Sequence, residues 1–231
     1  STVRNTGGGA SGAITWTGTG NITGNSSSSP GAVIRNRGTF LADTGSDIVP
    51  AGVTVISNFY NEAGATFTKT NPGTTYSTWQ FHNAGTININ EGWLEWHRNG
   101  THTGTFNIAA NSWLHVFAGT HSMASDTPFN GSGNVLINGA TVNAAGVLNN
   151  NLGGGVELRN GWISVNPQLR GSGLWKWTGG GISGTASLGA GCTMEVSDRP
   201  GAAENKDFYF NTTFDNYGTF IWQGGSSVFS N

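Results

Sequence analysis

The feature that most constrains this chain is a repeat. The motif apolar-x-Asn-x-Gly-Thr-apolar occurs as IRNRGTF at 34–40, FHNAGTI at 81–87 and FDNYGTF at 214–220, with a looser FYNEAGATF at 59–67. A longer echo pairs GAITWTGTGNITG, starting at Gly12, with GLWKWTGGGISG, starting at Gly173. Around these lie short alternating segments: VTVIS at 53–57, TININ at 86–90, WLEWH at 93–97, WLHVF at 113–117, NVLIN at 134–138, VELRN at 156–160, WISVN at 162–166 and MEVSD at 194–198. Each reads as a strand with two inward apolar residues. No stretch sustains apolar residues at helical spacing free of Gly and β-branched residues.

One such coil has a stripe of apolar side chains and no core of its own. Stacking coils about 4.8 Å apart pairs each strand with the next and closes a continuous core. A coil of about twenty-two residues divides the chain into roughly ten, well above the three or so needed for stability. The sequence therefore predicts an all-β fold, a right-handed parallel β-helix (β-solenoid) of roughly ten coils, with residues 1–231 forming a single module. Handedness follows here from the general preference of such folds. Asn36, Asn83 and Asn216 of the repeated motif are expected at corners, where stacked carboxamides can bond along a ladder. The Gly that follows permits a positive φ, and the Thr re-enters a strand.

Composition excludes several function classes. Only 10% of residues are charged, the net charge is -2, and there is no Lys/Arg run, so nucleic acid has no electrostatic footprint. Apolar runs are too short to span a membrane. Cys192 stands alone, which rules out an internal disulfide and a multi-Cys zinc site and suits a small core filler. Nine Trp and twelve Phe in so weakly charged a chain imply packed structure, a binding surface, or both. The chain reads as a monomeric module of a larger, exported, multimodular protein, without a cofactor.

Aligning strands by their inward pairs sorts the aromatic residues. In GWLEWH, Leu94 and Trp96 point in, leaving Trp93, Glu95 and His97 out; in SWLHVF, Leu114 and Val116 point in, leaving Trp113, His115 and Phe117 out. In GWISVN, Ile163 and Val165 point in and Trp162 points out. Trp93, Trp113 and Trp162 are thus expected in one column, with Glu95, His97 and His115 beside it. Large aromatics left in water forgo about 1.5–3 kcal/mol of burial each, so a clustered set marks a binding surface. The bland alternative is cover from a loop, an attached module or a stacked partner one coil away. Trp16, Trp79, Trp175 and Trp177 are weaker candidates for an exposed site, and Trp16 and Trp177 are expected in the core because they occupy matching places in the long echo.

Catalytic readings fare worse. Glycoside hydrolysis needs two carboxyl groups roughly 5–10 Å apart, whereas Glu95 and Glu157 should lie several coils apart. Asp43 and Asp47 flank a DTGSD turn, better suited to solvation or a weak cation site. His97 and His115 lack further ligands for zinc, leaving the metal and catalytic residue sets empty. The GxG strings are turns, because no helix follows them.

The stretch FHNAGTININEGWLEWHRNGTHTGTFNIAANSWLHVFAGTH resembles the Gly/Asn/Thr-rich β-solenoid repeats of large secreted bacterial proteins. In its Trp-rich strands the chain is also similar to a right-handed parallel β-helix carbohydrate-binding module family attached to plant-cell-wall xylanases. That resemblance implies a non-catalytic, secreted module that binds polysaccharide, xylan or related hemicellulose first. A structural stalk or adhesin segment is the alternative, and a β-helix polysaccharide lyase or glycoside hydrolase the second alternative.

Overall fold

A computed structural model describes residues 12–24, 31–50, 55–199 and 205–224, with backbone alone at 2–5, 210 and 228–230. Every strand pairing in it is parallel and joins one turn to the next, and the described residues contain no α-helix. The chain is a parallel β-solenoid. About eight turns run from Asn58 to Trp222. The strand expected at 53–57 is absent over 55–57, and residues 53 and 54 lie outside the described residues.

Each turn has three strands, so the cross-section is a triangle. One turn shows the order: Gln80–Asn83 on face A, Thr86–Ile89 on face B, Trp93–Trp96 on face C. The next turn repeats it with Gly100–His102, Thr105–Ile108 and Trp113–Val116. Period-two alternation drives the burial: Gln80–Asn83, Thr86–Ile89 and Trp93–Trp96 each alternate half-buried with buried. Two longer strands, Asn134–Ala144 and Gly155–Val165, run through a corner, serving face C with their first halves and face A with their second.

In-register stacking puts like on like inside. Phe59 and Phe81 are register partners and stack at 4.6 Å, and Phe40 and Phe67 do the same at 5.4 Å. Trp96 is fully buried and stacks on Phe81 at 5.5 Å. Trp79, Trp175 and Trp177 are buried and Trp16 packs against the core, which for Trp16 and Trp177 matches the expectation from the long echo. Cys192 is also buried, with its thiol on the Gly171 carbonyl.

The corner between faces A and B carries a buried carboxamide ladder. Asn36 Nδ2 donates to Asn61 Oδ1 at 2.8 Å, and Asn61 Nδ2 donates to Asn83 Oδ1 at 2.8 Å. Asn36 Oδ1 also accepts from the backbone N–H of Gly38, closing the corner turn. Asn216 corrects the sequence reading. It closes an equivalent turn with Gly218, but at the corner from face B to face C, where it is exposed and has Leu188 as register partner. The long echo is displaced likewise: Ala13–Thr17 lies on face B and Leu174–Trp177 on face C. Local sequence encodes a strand and a corner, and either can serve any face.

Candidate functional site

Face C displays a cluster of outward aromatic and ionisable side chains. Its outer residues form columns fixed by register. Thr74, Trp93, Trp113 and Asn134 make one; Tyr76, Glu95, His115, Leu136 and Glu157 make the next. His97 and Phe117, immediately after their strands, line the corner, with ring centroids 4.5 Å apart.

Five of the six expected site residues come together here. Trp93 and Trp113 are register partners stacked at 4.9 Å with planes only 12° apart. Each ring therefore covers one face of the other, and both are half-buried. The edge of His115 meets Trp93 at 6.0 Å.

Glu95 organises the polar part. Its Oε1 accepts from His97 Nε2, and its Oε2 accepts from His115 Nδ1 at 2.8 Å. An ionised carboxylate only accepts, so each histidine must carry its proton on the nitrogen facing Glu95. His115 Nε2 is then a bare lone pair, and it is buried without a hydrogen-bond partner. Burial pushes the His115 pKa below the ordinary imidazole value, although Glu95 pulls the other way. Neutral His115 thus locks the carboxylate, which in turn orients His97 at the surface.

Trp162 is a correction. It does not extend the Trp93–Trp113 column: the face C positions one and two turns beyond Trp113 are Asn134 and Gly155. Trp162 comes after the next corner, on face A, with Thr141 and Gly181 as its register neighbours. The segment GWISVN repeats the alternation of GWLEWH on a different side of the triangle. Its last inward assignment fails too, since Val165 is exposed with φ 81° where the strand turns the next corner.

Tyr76 was missed by sequence reasoning. It is the register partner of Glu95 one turn earlier, 36% exposed and 5.5 Å from the His97 ring. Its signal was the alternation in TTYS one coil before WLEW, hidden because its inward residues are Thr75 and Ser77. Phe117, 40% exposed, completes the aromatic rim.

Further along the same column the chemistry changes. Glu157 is held in a two-point pair by Arg159, at 2.9 and 3.0 Å, and takes a third hydrogen bond from Thr178. Burial pushes the Glu157 pKa up, but these partners outweigh it and leave the carboxyl below the usual range. Glu95 and Glu157 are three strands apart in one column, about 14 Å at the normal strand spacing. Among the described residues no group of three or more His, Cys, Asp or Glu is arranged to hold a metal ion. The Asp43–Asp47 turn is internally bonded: Asp43 Oδ1 accepts from Thr70 Oγ1, and Asp47 Oδ1 accepts from the Tyr76 N–H.

No protein-family model, curated protein or solved structure matches the chain.

Proposed function

We propose that the chain is a non-catalytic carbohydrate-binding module that holds a polysaccharide, with xylan or a related plant glycan as first choice, for modules attached to it outside the cell. The observation that carries this reading is the patch on face C: Tyr76, Trp93, Trp113, His97 and Phe117 surround a carboxylate whose hydrogen bonds to two histidines are already made. Sugars present C–H faces that pack on aromatic rings and hydroxyls that bond to fixed polar groups beside them. Spread over three successive turns, the patch suits a chain of a few sugars and not a single enclosed one. A shallow surface of this kind gives affinities of about micromolar to millimolar.

A binding role also fits the spacing of the acids. Glycoside hydrolysis by paired carboxyls uses separations of roughly 5–10 Å. Glu95 and Glu157 exceed this, and each is already committed to cationic or imidazole neighbours.

The reading of the chain as a structural stalk draws on one specific observation, the mutual stacking of Trp93 and Trp113. Affinity electrophoresis in gels containing soluble xylan, mixed-linkage β-glucan, galactomannan or pectin separates the two. The binding reading expects retardation by at least one glycan, and clearly weaker retardation of the Trp93→Ala/Trp113→Ala double variant. Equal mobility of double variant and unmutated protein in every gel would sink the face C site. Release of reducing ends or unsaturated sugars from the same panel would instead make the chain an enzyme.

A further inference from the structure

Trp162, separated from the other outward tryptophans, has surroundings of its own. Gly181 is its register partner on the following turn, and the Trp162 six-membered ring occupies the space above it. A Cβ at position 181 would come within 2.1 Å of the ring, so any residue but glycine there pushes the indole away. Lying over Gly181, the indole reaches Tyr209 on the turn beyond, edge to face at 5.1 Å and 65°. Tyr209 is 41% exposed. Asp207 follows Trp162 and Gly181 in the same outward column. Asn160, Gly180 and Asn205 complete a cleft of about 460 Å³ with Trp162 and Asp207.

We infer that this cleft is a second saccharide site, on face A and independent of the face C patch. Four features carry the inference. The indole is placed over a glycine with a second aromatic ring inclined to it at 65°, so among the described residues it meets no parallel ring of the kind that covers Trp93 and Trp113. The polar lining is two carboxamides and one carboxylate, which donate to and accept from hydroxyl groups. Among the described residues no Lys or Arg lines the cleft and its one charged side chain, Asp207, is acidic, so a neutral sugar is the ligand class that fits. Its volume lies within the range of small-ligand pockets and suits one or two sugar rings. Two sites on neighbouring faces would let one module hold two chains, or two stretches of one chain, with avidity that neither site has alone.

The test uses the full chain and the same four glycans. Trp162→Ala and Tyr209→Ala are compared with Trp93→Ala/Trp113→Ala and with the variant carrying Trp162→Ala in addition. Gly181→Ala, which displaces the indole while removing no side chain, guards against loss of fold, and each variant's melting temperature is recorded. The expected result is about tenfold weaker binding for Trp162→Ala and Gly181→Ala on at least one glycan. Residual binding is expected in the face C double variant, and none in the triple. Full binding by Trp162→Ala and Tyr209→Ala on every glycan, with loss confined to the double variant, overturns the second site and leaves the first. Loss confined to the Trp162, Tyr209 and Gly181 variants overturns the first site and leaves the second. Absence of retardation of the unmutated chain by all four glycans overturns both.

Discussion

Two stacks of side chains run along this solenoid under the same geometric rule, with opposite consequences. At the A–B corner, Asn36, Asn61 and Asn83 point inward and each carboxamide bonds to the next, ending where His102 takes the following register position. On face C, Tyr76, Glu95 and His115 occupy successive register positions pointing outward, flanked by Trp93 and Trp113. The inner stack is fully buried, so every polar atom in it must find a partner inside the protein. The outer stack meets water at Tyr76 and covers His115 beneath its neighbours, and its members are free to differ from turn to turn. In-register repetition thus holds the scaffold together inside, while outside it brings unlike residues into one patch.

That contrast can be broken most severely at Asn61. Asn61→Ala removes the donor to Asn83 Oδ1 and to the Thr86 carbonyl, and the acceptor for Asn36 Nδ2, all at a buried corner. The expected cost is about 2–3 kcal/mol, because buried polar atoms lose partners that water cannot replace. Thermal unfolding of the variant should show a drop of several degrees, with binding per folded molecule unchanged.

A second break uses acid. His102 ends the polar run of the corner stack and pairs with buried His121, the register partner of Gly100: His102 Nε2 and His121 Nδ1 are 3.1 Å apart, His121 Nε2 donates to the Ala118 carbonyl, and both rings stack on Trp96. Burial, then the neighbouring imidazoles, hold His102 well below its ordinary value, and burial brings His121 down to about 4. The unfolded chain therefore binds these protons first. The contribution to stability is whole above about pH 6.5 and is lost as pH falls from there towards 4, at about 1.4 kcal/mol per unit for each group. The melting temperature should fall steadily across that window, and His121→Gln should flatten the decline. A melting temperature unchanged between pH 7 and pH 4 would remove the neutral pair from the account.

The smallest effect on stability is expected on the outer stack. Trp93→Ala and Trp113→Ala each lose a half-exposed stacking contact of about 0.5–1.5 kcal/mol, whereas their effect on glycan binding should be the larger one. If either variant unfolds as early as Asn61→Ala, the outer aromatics belong to the scaffold.

Much of this was legible in the sequence. Alternation within WLEW, WLHV and TINI fixes which residues point inward, and the recurrence of like strands about every twenty residues calls for stacking turns. The Asn36 and Asn83 corner, and the pairing of Trp93 with Trp113, follow from the same signals. What the sequence leaves open is the face. All three sides of the triangle use the same four-residue alternation, and the Asx corner occurs both between faces A and B and between faces B and C, so the alternation alone does not distinguish a strand on face A from one on face C. Trp162 and Asn216 were misplaced for that reason, each shifted by one corner. Tyr76 was lost differently: its strand buries Thr75 and Ser77, so the apolar signal that marks other strands is missing.

If the face C patch and the Trp162 cleft bind glycan, the outward tryptophans meet it and the inward ones do not. With nine Trp in the chain, the indole N–H resonances of an ¹⁵N-labelled sample report both kinds at once. Titration with xylohexaose, or with an oligosaccharide of whichever glycan retards the protein, should move the Trp93, Trp113 and Trp162 signals. Those of Trp79, Trp96, Trp175 and Trp177 should stay in place, because these side chains are buried in the core. Movement of the buried signals alone, or of none while the glycan is bound, would contradict the account.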